Sequence, residues 1–168
     1  MNTNLAYIND KIYTQLGFNL SSFQIDSESI KYEACIFKLN DLHIAFRTAK
    51  ITPTKTGQFV TIWKRSELGP IEPYHQDDII DYLIVHVKID QQHGQFIFPK
   101  SVLIAKGIFS TDYKDGKRGF RVYPSWDKTT NTQAIKTQKW QLNYFFKYSK
   151  ELDLNTISAL LKPNIKIL

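Results

Sequence analysis

Basic, aromatic and amide side chains are concentrated in one segment, "GKRGFRVYPSWDKTTNTQAIKTQKWQ", which covers residues 116–141. Cations neutralise phosphates, aromatic rings stack on unpaired bases, and amides read base edges. The segment therefore predicts a nucleic-acid contact surface formed by Lys117, Arg118, Arg121, Tyr123, Trp126, Gln138 and Gln141. The alternative is that the aromatic residues pack the core and the amides are solvent-facing helix residues.

Two lysines end apolar strand patterns that begin with the same triplet, "GQFVTIWKR" and "GQFIFPKS". Side chains two positions apart share one face of a strand, so Val60, Ile62 and Lys64 align. Lys100 follows Pro99 in the first turn of a predicted helix, where a cation opposes the helix dipole unless an anion compensates. We expect both lysines to rim one groove for a phosphate backbone. For Lys64, the alternative is a strand-end side chain that simply reaches water.

The charges are segregated along the chain, which has a net charge of +6. Residues 98–150 hold eleven Lys and Arg against three acids, whereas residues 67–97 hold one lysine against six acids. Residues 42–66 contain cations and no acid, namely Arg47, Lys50, Lys55, Lys64 and Arg65. Two basic blocks on either side of an acidic one favour a polyanionic partner, and a merely solvated surface is the alternative.

The acidic block includes a cluster, "HQDDIID", in which carboxylates accompany a histidine. Oxygen ligands suit Mg²⁺ or Mn²⁺, so Asp77, Asp78 and Asp81 are candidate metal ligands. The same acids can instead cap turns and strand ends. Cys35 is the sole cysteine, which excludes an internal disulfide and a Cys-rich zinc site. Zinc-protease, P-loop and hydrolase-elbow motifs do not occur, and no cofactor other than a possible Mg²⁺ is expected.

The elements that must position these residues alternate between helical and strand patterns. Leu5, Ile8 and Ile12 recur at helical spacing before Gly17, which predicts an N-terminal helix. Strand patterns then dominate, with one short helix after Pro99 and two helices near the end. We therefore expect an α/β or α+β fold in which helices flank a mixed sheet.

The length of 168 residues suits one compact core, so residues 1–168 are expected to form a single domain. No run of about 20 apolar residues occurs, and the polar start "MNTNLAYINDK" lacks the apolar core of a signal peptide. These features favour a cytoplasmic protein without a membrane partner. Oligomeric state is left open.

Several strings occur in an order that resembles the MepB-like family of bacterial proteins. They are "FRTAKITPTKTGQFVTIWKR", "GPIEPYHQDDIID", "GQFIFPKSVLIAKGI", "GKRGFRVYPSWD" and "TQKWQLNYF", and together they span about residues 45–148. The resemblance implies a restriction-endonuclease-like fold and nucleic-acid binding. It also implies a genomic neighbourhood with a multidrug efflux pump.

Nucleases of the implied fold use an Asp on one core strand and an acid-x-Lys triplet on the next, which converge on Mg²⁺. By this resemblance the catalytic candidates are Asp81, Gln95 and Lys100. The triplet would fall on Phe98-Pro99-Lys100, where no acid stands, and Gln95 is the only polar neighbour, so the motif is degenerate. We therefore expect a DNA-binding protein on a nuclease-like scaffold that is not an active enzyme. The alternatives are a Mg²⁺-dependent endonuclease or exonuclease, and a small-molecule-binding accessory protein linked to efflux.

Overall fold

The structure is a computed structural model that describes residues 1–148 and 153–161. The strands are β1 (Leu20–Ile25), β2 (Cys35–Leu39), β3 (Leu42–Thr48), β4 (Lys50–Ile51), β5 (Gln58–Thr61), β6 (Trp63–Arg65), β7 (Ile71–Pro73), β8 (Tyr82–Ile89), β9 (Gln92–Pro99), β10 (Gly119–Val122) and β11 (Phe145–Lys147). The α-helices are α1 (Thr3–Ile8), α2 (Lys100–Ala105), α3 (Thr132–Gln141) and α4 (Leu154–Leu160). Short helical turns of other types cover Asn9–Tyr13, Ser27–Tyr32 and Leu142–Tyr144.

A six-stranded sheet in the order β1-β2-β3-β8-β9-β11 forms the centre of the described chain. β3 and β8 pair in parallel, and the other neighbours are antiparallel. β8 is apolar on both faces, as expected of a strand buried between two layers. The predicted mixed sheet with flanking helices is therefore confirmed. A three-stranded sheet, β10-β5-β4, and the pair β6-β7 complete the β structure.

Each face of the large sheet carries its own apolar core. On one face, Leu5, Ile8 and Ile12 of the N-terminal helical segment and Ile157 of α4 pack against the sheet. On the other face, the small sheet, α2 and residues near α3 cover Phe96 and its neighbours. The basic segments of the sequence lie mainly on this second side, so the sheet separates them from the N-terminal helix.

The N-terminal helix forms as its apolar spacing predicts, and Leu5, Ile8 and Ile12 are fully buried. The α-helical turns continue into a π-helical turn, Asn9–Tyr13, which also buries Tyr13. Gly17 adopts φ of +82°, a left-handed conformation that suits glycine at a helix end. The two helices predicted near the C-terminal end are present as α3 and α4.

Two local predictions differ from the structure. The pattern "QFVTIWKR" forms two strands rather than one, since Ile62 leaves the ladder and donates its backbone N–H to Arg118 O. The spacing of Ile135, Leu142 and Phe145 predicts one helix through these residues, but α3 ends at Gln141 and Phe145 begins an edge strand that pairs with β9. Apolar residues three or four positions apart do not exclude a strand, because a short apolar run suits either a helix or a strand.

No helix among the described residues is long and apolar enough to cross a membrane. The single-domain prediction also covers residues 149–152 and 162–168, which lie outside the described ranges.

Candidate nucleic-acid interface

A groove of about 630 Å³ lies between the loop before β5, the strand β10 and the helix α3. Four cations contribute to its walls, namely Lys55, Lys106, Lys117 and Arg121. None of the described residues that line it is acidic. We call this surface the basic groove. Three of its four cations belong to the set predicted from the sequence, and Lys106 does not.

The four cations of the basic groove have no carboxylate partner among the residues that the structure describes. Within the described part of the chain, none of them lies within ion-pair distance of a carboxylate. Arg121 is held in place by neutral groups, because its Nη2 donates to Thr52 Oγ1 at 2.8 Å and its guanidinium lies 6.0 Å from the Phe59 ring centroid. Neutral partners fix the direction of the side chain and leave its positive charge available to an anion.

The helix α3 begins at the basic groove. Asn131 caps the helix, since its Oδ1 accepts a hydrogen bond from the backbone N–H of Ala134 at 2.8 Å. Thr130, Asn131, Gln133 and Ala134 all line the groove. The positive end of the helix dipole therefore adds to the electrostatic potential of the four cations there.

Trp140 closes the inner wall of the groove. Its ring lies 5.5 Å from Phe98 on the core side, and the ammonium of Lys106 sits 5.4 Å from its centroid. The six residues of α2 bring Lys106 to this position, and its contact with Trp140 is a cation–π interaction. Sequence reasoning omitted Lys106 from the interface. A local pattern of cations and aromatic residues in the sequence does not reveal the contact, because Lys106 follows α2 and Trp140 lies in α3.

Gln141 has a structural role in this groove rather than the predicted base-reading role. The side chain is fully buried, accepts a hydrogen bond from Tyr123 N at 2.8 Å and donates one to Arg121 O at 2.9 Å. Both polar atoms of the amide are thus satisfied by the backbone around β10. The amide joins α3 to β10, and the prediction that it reads bases must be corrected.

Gln138 is engaged in the same way. Its Nε2 donates to the carbonyl oxygens of Pro124 and Asp127, each at 2.9 Å, and its Oε1 accepts from Thr129 Oγ1. The side chain therefore fastens the loop before α3 to the helix. It has no free amide group for a base edge, so this prediction too is corrected.

The two aromatic candidates differ from each other. Tyr123 lines the groove, and its ring packs so closely on Gly57 that an added Cβ there would lie 2.7 Å from the ring. Gly57 also has φ of +83°, which favours glycine. Trp126 instead packs edge-on against Phe145 at 5.9 Å, is partly buried against the apolar core, and does not line the groove.

Lys64 and Lys100 both contact Asp78, and neither of them lines the basic groove. Lys64 Nζ lies 2.7 Å from Asp78 Oδ1, and Lys100 Nζ donates to Asp78 O at 2.6 Å. Burial alone would lower the pKa of Lys64, but the hydrogen bond and charge of Asp78, together with Glu72, raise it. The two lysines therefore tie the strand end to α2, and Asp78 neutralises one of them.

Arg47 and Arg65 are also paired with acids. Arg47 is fully buried, and its Nη2 lies 2.9 Å from Asp26 Oδ2, so it is inaccessible to a phosphate and leaves the predicted set. Arg65 is exposed and forms a two-pronged pair with Glu28, at 3.1 and 2.9 Å. The hydrogen bond and charge of Arg65 lower the pKa of Glu28.

The remaining cations are accessible. Lys50 is exposed on β4 and lies 5.0 Å from the Tyr32 ring centroid, which places it outside the groove lining. Arg118 is exposed immediately before β10, and only its backbone carbonyl has a described contact, from Ile62 N. Lys117, next to it, lines the groove.

The three catalytic candidates do not converge. Asp81 precedes β8 and its Oδ2 accepts from His43 N at 2.7 Å, while Lys100 adjoins the same strand end. Gln95 is fully buried and pairs with His86, five residues along β8 from Asp81. At about 3.4 Å per residue, Gln95 thus lies roughly 17 Å from Asp81. These side chains cannot share one Mg²⁺ ion in this conformation.

Among the metal candidates, Asp77 alone lies in a described cluster of metal-binding residue types. His75 Nδ1 is 3.4 Å from Asp77 Oδ2, and His75 Nε2 is 3.1 Å from Asp112 Oδ1. Asp78 is occupied by Lys64 and by the backbone N–H of His75, and Asp81 by His43. The predicted trio of carboxylates is therefore not assembled.

Comparisons with known proteins agree on one family. The MepB-like family model matches residues 26–147. A crystal structure of MepB is 34% identical, covers 90% of this chain and 100% of its own, and has a TM-score of 0.77. The bacterial homing endonuclease I-Ssp6803I is 13% identical over 95% and 97% of the two chains, with a TM-score of 0.45, a level from which neither fold nor function is inferred. No curated protein matches significantly. The chain belongs to the MepB-like family.

Proposed function

We propose that the protein binds nucleic acid, with DNA as the expected form, through the basic groove. The observation that carries this proposal is the set of four groove cations without an acidic lining residue. Backbone phosphates are the natural partners of such a set, because each Lys or Arg contact releases condensed counterions. No base-specific contact is part of the proposal.

The contrast with the other predicted cations supports this assignment. Arg47, Lys64 and Arg65 each have a carboxylate partner, so their charges serve the fold. Lys55, Lys117 and Arg121 have none among the described residues. Uncompensated cations on a concave surface repel one another, and an anionic partner relieves that repulsion.

The groove also supplies neutral donors between its cations. Thr54, Thr56, Thr130 and Thr137 line it, together with Asn131 at the start of α3. Hydroxyl, amide and helix N-terminal groups contact phosphate and sugar oxygens without reading sequence. The proposed binding should therefore depend strongly on salt concentration and only weakly on the nucleic-acid sequence.

Binding without cleavage is the form of this proposal that the site geometry favours. The candidates Asp81, Gln95 and Lys100 are separated, and Asp81 and Lys100 already have partners within the protein. We propose that the chain has a nuclease-like scaffold that holds nucleic acid and does not hydrolyse it.

A salt series of fluorescence-anisotropy titrations tests the function. With labelled duplex and single-stranded DNA, each phosphate contact should contribute about 0.9 to the slope of log K against log[salt] for duplex. Lys55→Gln and Lys117→Gln should each reduce that slope by about this amount. Lys11→Gln is the matched control, because Lys11 is exposed on the N-terminal helical segment, across the sheet from the groove.

A slope that is the same in the groove variants and in Lys11→Gln would contradict the proposal. A response that is flat with salt would instead favour the small-molecule alternative. In that case the groove would hold a compact anionic ligand. Added nucleic acid would not displace that ligand.

A further inference from the structure

Three polar side chains lie side by side on the face of the sheet that the N-terminal helix covers. Thr48 pairs with His86, and His86 pairs with Gln95, so the three project from one face of β3, β8 and β9. All three are buried. Each has one buried atom without a hydrogen-bond partner, namely Thr48 Oγ1, His86 Nδ1 and Gln95 Nε2. Native cores rarely leave such groups unsatisfied, which points to a missing ligand or water.

Two more residues extend this row towards the edge of the sheet. His93 Nδ1 lies 3.5 Å from His86 Nε2, and the Tyr148 ring lies 5.9 Å from His86 and 6.4 Å from His93. The Tyr148 hydroxyl is buried and also lacks a partner. We call His86, His93, Gln95 and Tyr148 the histidine cluster. It lies across the sheet from the basic groove and is independent of the proposed function.

We propose that the histidine cluster binds one divalent transition-metal ion, such as Zn²⁺, through His86 Nε2 and His93 Nδ1. Two imidazole nitrogens at about 2.0–2.1 Å from a tetrahedral metal are about 3.3–3.4 Å apart, close to the separation observed here. Imidazole pairs without a carboxylate select Zn²⁺, Co²⁺ or Ni²⁺ over Mg²⁺. A direct hydrogen bond between the two rings at 3.5 Å would be weak.

Both imidazoles are in the form that a metal requires. Burial, followed by the nearby His93 and Lys88, lowers the pKa of His86 to about 3. Burial and the charge of Lys88 also lower the pKa of His93. Burial therefore disfavours the charged form of both rings, and the neutral imidazole is the form that binds a metal.

The neighbouring unpartnered atoms suit the outer contacts of such a site. A metal on His86 Nε2 would leave the ring proton on Nδ1 as a donor; Nδ1 and the Thr48 Oγ1 on the adjacent strand are both buried and unpartnered in this structure and do not bond to each other. Tyr13 Oη donates to Gln95 Oε1 at 3.4 Å. Rotation of that amide by 180° would retain a bond with Tyr13 and leave the oxygen, instead of Nε2, as the unpartnered atom.

The histidine cluster has an entrance, since His93 is only partly buried at its outer side whereas His86 is almost fully buried. The remaining coordination positions are left for water. Lys88 pairs with His93 across the strands and places a positive charge at this entrance. That charge opposes a cation, so its removal should strengthen binding.

Metal titration of the untagged full chain tests the proposal. Calorimetry with Zn²⁺ should show one ion per chain, and Co²⁺ should develop the visible d–d absorption of a low-coordinate nitrogen site. His93→Gln should weaken Zn²⁺ binding at least tenfold and remove the Co²⁺ band, and His86→Gln should do the same. Lys88→Gln should tighten binding several-fold. Circular dichroism should show that His93→Gln, at a partly exposed position, remains folded.

The control variant is His75→Gln, which disrupts the exposed pair of contacts with Asp77 and Asp112. It should retain both the Zn²⁺ stoichiometry and the Co²⁺ band. The proposal is overturned if the wild-type chain shows no stoichiometric binding, if His93→Gln binds as the wild type does, or if His75→Gln abolishes the signal.

Discussion

The backbone N–H of Tyr123 donates to Gln141 Oε1 at 2.8 Å, so a side chain of α3 completes the hydrogen bonding of β10. The same amide donates to Arg121 O at 2.9 Å. The side-chain amide of Gln141 thus makes the hydrogen bonds that a neighbouring strand would make to β10, and it joins α3 and β10, two walls of the basic groove. The groove cation Arg121 depends on this support for its position.

Substitution of Gln141 should therefore affect both stability and binding. Gln141→Met removes both hydrogen bonds and leaves two buried backbone groups unpaired, which costs about 1–3 kcal/mol for each such group. Gln141→Glu keeps the acceptor for Tyr123 but sets a carboxylate against Arg121 O, so it should destabilise at least as much. Urea unfolding measures the loss, and equal stability of all three proteins would contradict the role assigned to Gln141.

The buried ion pair between Arg47 and Asp26 should be essential to the fold. Asp26→Asn leaves a fully buried guanidinium without its counter-charge, for which the expected loss is about 3–5 kcal/mol. The matched control is Glu28→Gln, which removes the carboxylate partner of the exposed Arg65 and should change stability little. Chemical denaturation of the two variants gives the comparison. Similar denaturation midpoints for Asp26→Asn and Glu28→Gln would show that the burial of Arg47 does not determine the cost of losing its carboxylate partner.

Asp127 should make stability depend on pH in an unusual direction. Burial raises the pKa of this carboxyl in the folded state, so the native protein holds the proton more tightly than the unfolded chain. The loss of stability caused by Asp127 is therefore absent at pH values below its pKa in the unfolded chain, and it is complete at pH values above its pKa in the folded protein. Asp127→Asn should raise the urea midpoint at pH 7 and have little effect at pH 3. A lower midpoint at pH 7 would contradict this.

The separation of Asp81 from Gln95 predicts that the chain does not cleave DNA. Incubation with Mg²⁺ or Mn²⁺ should give no product on a denaturing gel, and Asp81→Asn should leave DNA affinity unchanged. A Lys55→Gln variant serves as the control that affinity can be altered at all. Cleavage that disappears in Asp81→Asn would revive the nuclease alternative.

The sequence predicts elements with strong periodicity better than it predicts partners. Leu5, Ile8 and Ile12 mark the N-terminal helix because all three face one core. The alternation in "GFRVYP" likewise marks β10. The spacing of Phe145 after Leu142 predicts a helix, but so short a run does not determine its own conformation, and here the pairing of Phe145 with β9 makes it a strand.

The site residues illustrate the same limit. Arg47, Lys64 and Arg65 look alike as isolated cations, yet each is compensated by an acid that is distant in sequence. Gln138 and Gln141 look like exposed helix amides, although both bind backbone carbonyls in the loop and strand beside them. Composition identifies the basic region, and only the tertiary contacts separate free charges from structural ones.

The parallel pairing of β3 with β8 affects the order in which the molecule can assemble. The hairpins β2–β3 and β8–β9 have short connections, whereas β3 and β8 meet only after residues 49–81 have closed a long loop. Such non-local pairing slows folding. The strand β10 and the helix α3 come later in the chain still. During synthesis, a nascent chain released as far as β9 would carry most of the large sheet but neither β10 nor α3, so the basic groove can form only after these later elements have been made.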